Sequence, residues 1–373
     1  MSSPEEWRAQ TAAWLQQHGD KAKELKAFVG LDGFVDEIIH VVDKREDANT
    51  FHRIPSIAAF ADRIAEASGK STNIELVPQR IKLGGNGPIM ANALSSFGLG
   101  VTYVGALGHP NIHPVFHPLT EHSEVYSIAE AAHTDALEFE DGKLMLGKMT
   151  PLNEVTWDNI QARMGRQEFQ NQITASQLVS FVNWTMVPYM SEIWKSLLSE
   201  NILPQRNDRQ FAFFDLCDPE KRENDDILEA MSLLGEFRKH FRVILGLNEK
   251  EAMELSEVYG LEIGEDTPEG RCQMSERLFK ALQVDVLVVH PVRYALTVTE
   301  EQTNWVPGPF IAKPVITTGA GDHFNAGFCL GLMLGMSPTL ALNLGVSTSG
   351  HYVRTGSSPT VSDLTNLLSD WPS

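Results

Sequence analysis

The chain has 373 residues, 42% of them apolar and 21% charged, proportions that fit a folded globular protein and exclude extended disorder. Thirty basic against forty-nine acidic residues leave a net charge of −19, a field that repels nucleic acid and anionic membrane surfaces but, being screened over about 8–10 Å, leaves room for a local anion site. The three cysteines, Cys217, Cys272 and Cys329, form no C-x-x-C pair, which argues against a disulfide framework or a cysteine zinc site and suits a reducing cytoplasm.

The amino terminus lacks a basic segment followed by an apolar run, and no stretch approaches a membrane span, so a soluble, cytoplasmic protein is expected. Trp7, Ala12, Trp14 and Leu15 among polar residues predict an amphipathic helix within residues 1–25, appended before a main domain over 26–373. Ala27 to Gly30 reads as the first strand and Ile38 to Val42 as its extension. Helical periodicity follows at Ile57–Ala65 and Ile89–Phe97, then a strand at Val101–Val104. Asp141-Gly142, flanked by alternating apolar and polar residues, predicts a hairpin over residues 136–146.

Beyond that hairpin the pattern alternates: strands at Leu178–Val182, Phe211–Leu216, Val243–Leu245 and Val284–Val289, and helices at Met190–Leu198, Ile227–His240, Lys250–Tyr259 and Met274–Leu282. Alternation of this kind predicts an α/β fold of three layers, a mostly parallel sheet with helices on both faces and ligands beyond the carboxyl ends of the strands. Residues 36–52, 72–83 and 123–150 are expected to supply the strands of a small β lid.

The sharpest motif is Thr317-Thr318-Gly319-Ala320-Gly321-Asp322, followed by an apolar helix. Small residues before a helix let its free amides converge on an anion, and a carboxylate in the same turn can accept the proton of an attacking hydroxyl. The same letters also fit a plain helix cap on a tight turn, with Asp322 satisfying free amides. Further upstream, Gly84-Gly85-Asn86-Gly87 precedes a helix, Asp32 and Asp36 flank Gly33-Phe34-Val35, and Asn248-Glu249-Lys250-Glu251 follows a strand. That last motif is equally the pattern of a capping box.

The glycine run resembles the D-T-x-G-A-G-D signature of the ribokinase-like (PfkB) carbohydrate kinases, and the other motifs follow in that family's order over residues 26–370. The resemblance implies ATP-dependent phosphorylation of a hydroxymethyl group on a sugar or sugar-like alcohol. Asp322 would be the general base and the Gly319, Ala320 and Gly321 amides the anion hole. Asp32, Asp36, Gly85 and Asn86 would contact the acceptor. Asn248, Glu251, Asp215, Arg222 and Gly356 would serve the nucleotide side, with Glu251 holding Mg²⁺ through water, and Asn343, Gly345 and Ser347 would lie on the helix along the adenine. Lids in this family often pair between subunits, which implies a homodimer. A nucleoside kinase of the same family, or a catalytically silent sugar- or nucleotide-binding regulator, are the alternatives.

Two positions depart from the pattern. Ile316 replaces the acid that opens the signature, which puts dependence on a monovalent cation in doubt, and Ile89 stands where an Asn usually follows the Gly-Gly motif. In the loop with His109, His113, His117 and His122 the prolines forbid a regular helix and no acid is interleaved, so a rigid active-site or oligomer loop is expected rather than a metal site.

Overall fold

Short apolar runs alternate with amphipathic segments, and the computed structural model, which describes residues 3–372, turns that alternation into strands and helices. In chain order they are α1 (Pro4–His18), β1 (Lys26–Leu31), β2 (Phe34–Arg45), β3 (Phe51–Arg53), α2 (Ile57–Glu66), β4 (Leu76–Gly84), α3 (Asn86–Ser96) and β5 (Gly100–Gly105). There follow α4 (His117–Thr120), β6 (Ser123–Ser127), β7 (Ala132–Glu138), β8 (Lys143–Lys148), α5 (Trp157–Arg163), α6 (Arg166–Ala175), β9 (Leu178–Phe181), α7 (Met190–Ser199) and β10 (Phe211–Asp215). The carboxyl-terminal part holds α8 (Asn224–Phe237), β11 (Arg242–Leu247), α9 (Glu249–Val258), α10 (Pro268–Ala281), β12 (Val286–Val289), β13 (Tyr294–Val298), β14 (Thr303–Pro307), α11 (Ala320–Met333), α12 (Pro338–Thr355) and α13 (Val361–Ser369).

Nine strands form one sheet in the order β14-β13-β12-β11-β10-β9-β1-β5-β6, all running one way except β13, which is antiparallel to both β12 and β14. Its strands read as continuous apolar runs because both faces are covered. Phe28, Val179, Phe181, Phe214 and Leu245 pack on the layer of α5 to α10. Val29, Tyr103, Phe213, Ile244 and Val288 pack on the layer of α1, α3, α4, α11, α12 and α13.

A second sheet joins β3, β2, β7 and β8, with β4 also paired to β2. Its inner face carries Asp36, Lys82 and Thr134 in one cross-strand row, since Asp36 pairs with Lys82 on β4 and with Thr134 on β7. The outer face is partly covered by α2 through Ile39, Val41, Phe60 and Leu137.

Several expectations need correction. Ile38–Val42 does not extend the first strand: β1 ends at Leu31, and β2 belongs to the second sheet. Gly33 permits the sharp corner between them, because a Cβ there would lie 2.0 Å from the carbonyl oxygen of Ala106. Ser123–Ser127, within a range expected for the lid, pairs in parallel with β5 and forms the edge of the main sheet. The expected helix within residues 1–25 is α1, which buries Thr11, Ala12 and Leu15 and docks on α12 and α13; Met1, Ser2 and Ser373 lie outside the described residues. Among the described residues no helix is long and apolar enough to cross a membrane.

Candidate active site

The carboxyl ends of β1, β9, β10 and β11 open toward the amino termini of α3 and α11, and the motifs of the sequence meet there. Gly319 caps α11 with φ of 92°, a left-handed backbone suited to glycine, and Asp322 stands in the first turn behind it. The side-chain amide of Asn86 donates to Asp322 Oδ1 at 2.9 Å, joining two motifs 236 residues apart.

Asp32 holds Asn86 from the other side. Its carboxylate accepts from the backbone N–H of Asn86 at 3.0 Å, the N–H of Gly87 at 2.9 Å and the side chain of Asn183 at 2.7 Å. It thus caps α3, whose own N-cap residue, Gly85, has no side chain to do so. With no exposed surface and its acceptor positions filled from within, Asp32 positions Asn86 rather than opening onto an acceptor molecule as expected from the sequence. Asp36 is the lid carboxylate at the site, 3.8 Å from the ammonium of Lys82.

The glycines of Gly84-Gly85-Asn86-Gly87 follow from these two acids. A Cβ on Gly84 would lie 2.4 Å from the carboxyl carbon of Asp36, and one on Gly87 would lie 2.6 Å from both Asp32 Oδ1 and the Tyr103 hydroxyl.

Five buried acids, Asp32, Asp36, Asp215, Glu251 and Asp322, crowd this region. Burial pushes Asp32 up to about 6 against the pull of its hydrogen bonds. Asp322 is held well above the usual carboxylate range, by burial first and by the charge of Asp32 next. Asp215 is raised by burial and by the charges of Glu251 and Asp322, and Asn325 donates to it at 3.3 Å. Asp36 is raised by burial, opposed by Lys82.

Asn248 and Glu251 form a capping box at the start of α9, with Glu251 N–H donating to Asn248 Oδ1 at 2.9 Å and Asn248 N–H to Glu251 Oε2 at 2.8 Å. The other Glu251 oxygen accepts from the N–H of Asp218 at 3.1 Å. Each oxygen therefore keeps acceptor capacity, which suits a hydrated cation held through water more than direct ligation. Among the described residues no group of three or more His, Cys, Asp or Glu side chains could hold a metal ion directly, the histidine loop included.

Beside the Gly319–Gly321 turn lies a cavity of about 420 Å³ that reaches from Thr317, Ala320 and Gly321 along α12. Its α12 wall is Val346, Ser349, Gly350 and Val353. Asn343, Gly345 and Ser347 lie on this helix but turn into the core, where Gly345 packs on Phe324 and the Ser347 hydroxyl donates to the Asn343 carbonyl. Gly356 ends α12 with φ of 74°, close to Val315, and is absent from the lining. Arg222 stacks on Trp184 and donates to the carbonyls of Thr185 and Val187 at 3.1 Å each, so it fixes the loop after β9 instead of facing a phosphate.

The residues around the signature include several that the motifs did not reveal. Tyr352 donates to the Thr318 carbonyl at 3.1 Å, and His323 Nδ1 lies 2.7 Å from the Gly319 carbonyl oxygen. Their rings stack with centroids 3.6 Å apart. His323 is also bonded through Nε2 to Ser358, which accepts from Asn92. With Asn92 donating, the Ser358 hydroxyl turns to His323 Nε2 and leaves the proton on Nδ1 for Gly319. Burial lowers His323 to about 4, so this neutral form persists at ordinary pH. Ile89 packs behind Gly319, and the half-buried His290 backs Gly321 with its ring tilted against Phe324. Asn183, just past the carboxyl end of β9, could have been suspected from that position alone.

With this geometry in place, known proteins were compared with the chain. A family model described as prokaryotic ketohexokinase matches residues 5–371. A ketohexokinase of Haloferax volcanii is 30% identical over 352 residues, covering 93% of this chain and 91% of that protein. Among solved structures, Arabidopsis thaliana ribokinase complexed with ribose and ATP superposes with a TM-score of 0.61 at 16% identity, covering 92% of this chain and 98% of that one. The Methanocaldococcus jannaschii nucleoside kinase, an archaeal member of the ribokinase family, gives a TM-score of 0.60 at 15% identity, covering 92% and 98%.

Proposed function

This chain belongs to the prokaryotic ketohexokinase family and is a sugar kinase of ribokinase-like α/β fold, and on that premise we propose that it transfers the γ-phosphoryl group of ATP to a hydroxymethyl group of a ketohexose with Asp322 as general base. The observation that carries the assignment of roles is the bond from Asn86 to Asp322, which puts the catalytic carboxylate and the acceptor-side motif on opposite ends of one hydrogen bond.

In this reading the acceptor lies under the lid between Asn86, Asp36 and Asp322, with Gly85 allowing its close approach to the backbone. The first-turn amides at Gly319, Ala320 and Gly321 receive the transferring group, helped by the positive end of α11. The cavity along α12, lined by apolar walls and opening on that same turn, takes the nucleoside of ATP. Asn248 and Glu251, with Asp215 nearby, would hold Mg²⁺ through water; the ion would draw charge from the triphosphate when bound. No K⁺ requirement is expected, because Ile316 offers no ligand and the Thr318 and Gly319 carbonyls already accept from Tyr352 and His323.

The lid closes over the acceptor and excludes water. Its outer face leaves Ile81 and Leu146 half exposed in one cross-strand row with Glu37 and Asp135, which supports a homodimer formed through the lid. The three cysteines are free, as fits a protein of the cytoplasm.

Sugar-dependent ADP release across ketohexoses, aldoses, polyols and nucleosides tests the proposal. A ketohexose is expected to give the highest kcat/KM, and Asp322→Asn to abolish nearly all of it. A nucleoside as the best acceptor would overturn the sugar assignment, and sugar binding without turnover would make the protein a regulator.

A further inference from the structure

The acids of the site need a cation, and the lid supplies it. Lys82 lies on β4 directly opposite Asp36 of β2, and Arg80 follows on the same face one row further along, opposite Ile38. The Lys82 side chain is 14% exposed, yet its ammonium sits 3.8 Å from Asp36, outside hydrogen-bonding distance. Arg80 is exposed and, among the described residues, has no carboxylate within salt-bridge distance. Burial lowers the Lys82 ammonium, opposed by the charge of Asp36 and less by that of Asp322, so the acids of the site favour its charged form. Lys82 reaches the site through Asp36, which packs against Gly84 just before Asn86, the residue that donates to Asp322. Arg222, the basic residue expected near phosphate from the sequence, is occupied by loop carbonyls.

We infer that Lys82 is a catalytic residue, a lid-borne ammonium that leaves Asp36 to contact the transferring phosphoryl group, with Arg80 drawing that anion toward it. The inference rests on the sugar-kinase reading and deepens it. In the step concerned, the acceptor hydroxyl oxygen forms a bond to the γ-phosphorus as the bond to the β-phosphate oxygen breaks, its electron pair leaving with ADP. The hydroxyl proton goes to Asp322. Lys82 stays charged throughout and exchanges no proton; it opposes the charge on the equatorial oxygens, where a desolvated cation acts most strongly. The amide groups of α11 carry only partial charge, and the surrounding carboxylates repel the incoming phosphate, so a full positive charge on the lid side closes the gap that the backbone leaves.

Lys82→Met, Lys82→Arg and Arg80→Met in the full chain test this, read as kcat and KM for both substrates. Melting is followed with MgADP and fructose, with and without aluminium fluoride as mimic of the transferring group. Lys82→Met should melt like the wild type without ligands, lose about 100-fold in kcat with less than threefold change in the sugar KM, and lose most of the extra stabilisation by aluminium fluoride. Lys82→Arg should recover to within about tenfold of wild type, and Arg80→Met should raise the KM for ATP more than it lowers kcat. Lys82→Met turnover within threefold of wild type, or a loss confined to the sugar KM, would overturn the inference and leave Lys82 as a partner of Asp36. Sugar-dependent ADP release by the wild type checks the underlying reading separately.

Discussion

At Asp322 burial sets the titration on which its proposed role as base depends. The carboxyl is raised chiefly by burial and then by Asp32, so its folded pKa exceeds its unfolded one. Such a group stabilises the fold in its neutral form: the contribution is present below the unfolded pKa and is lost as pH rises through the folded pKa. Asp322→Asn keeps the shape, can still pair with Asn86 and no longer titrates. Its melting temperature should therefore exceed that of the wild type by a margin that widens between pH 5 and pH 8, while kcat at pH 8 falls by about three to four orders of magnitude. A margin that stays constant with pH would show that the carboxyl is not raised. The sequence identified this residue because a short motif encodes it. Tyr352 and Lys82 escaped because they lie on other elements and approach the site through a stack or a strand register, and His323, adjacent to Asp322 on α11, escaped because its stack on Tyr352 leaves no local pattern.

Among the elements, Asn248 and Glu251 show how one set of letters serves two ends. The capping box is present, so the structural reading of the motif is correct, and the proposed nucleotide role is additional to it. Asn248→Ala should cost about 1 kcal/mol through the lost cap, read by denaturant unfolding. Asn248→Ser keeps a capping oxygen and should unfold like the wild type, yet raise the KM for MgATP about tenfold. A serine variant with unchanged KM would reduce Asn248 to a cap. Strands such as Phe211–Asp215 were legible because a strand buried on both faces is a continuous apolar run. The antiparallel edge of β13 and β14 was not, and neither was the parallel pairing of β6 with β5, because partner choice depends on contacts distant in sequence. The wall of α12 shows a finer limit: the helix could be anticipated, whereas which of its faces lines the cavity depends on how it packs against α11.

In the molecule as a whole, the helix expected within residues 1–25 is present as α1, and what amphipathicity left open is the surface it covers. The helix lies across the far end of the layer that carries the signature. Leu15 is 2% exposed, and Trp14 Nε1 donates to the carbonyl of Leu334, the residue that ends α11, at 3.0 Å. Thr11 reaches the carbonyl of Leu340 on α12, and Arg8 stacks on Trp371 beyond α13, so both ends of the chain brace the helices behind the anion hole. Burial of Leu15 alone contributes about 1.5–3 kcal/mol, and the tryptophans add to it. Deleting residues 1–19 should therefore lower Tm by about 4 °C or more in a chain of this size. It should also expose the carboxyl-terminal end of α11 and the amino-terminal end of α12 to hydrogen exchange. The anion-hole end of α11 lies some four turns away, so the kcat of the folded fraction should change little at low temperature. A truncated chain that melts with the full-length protein would return α1 to the status of an appendage, whereas a loss of kcat without a loss of Tm would mean that α1 sets the position of Asp322 through α11.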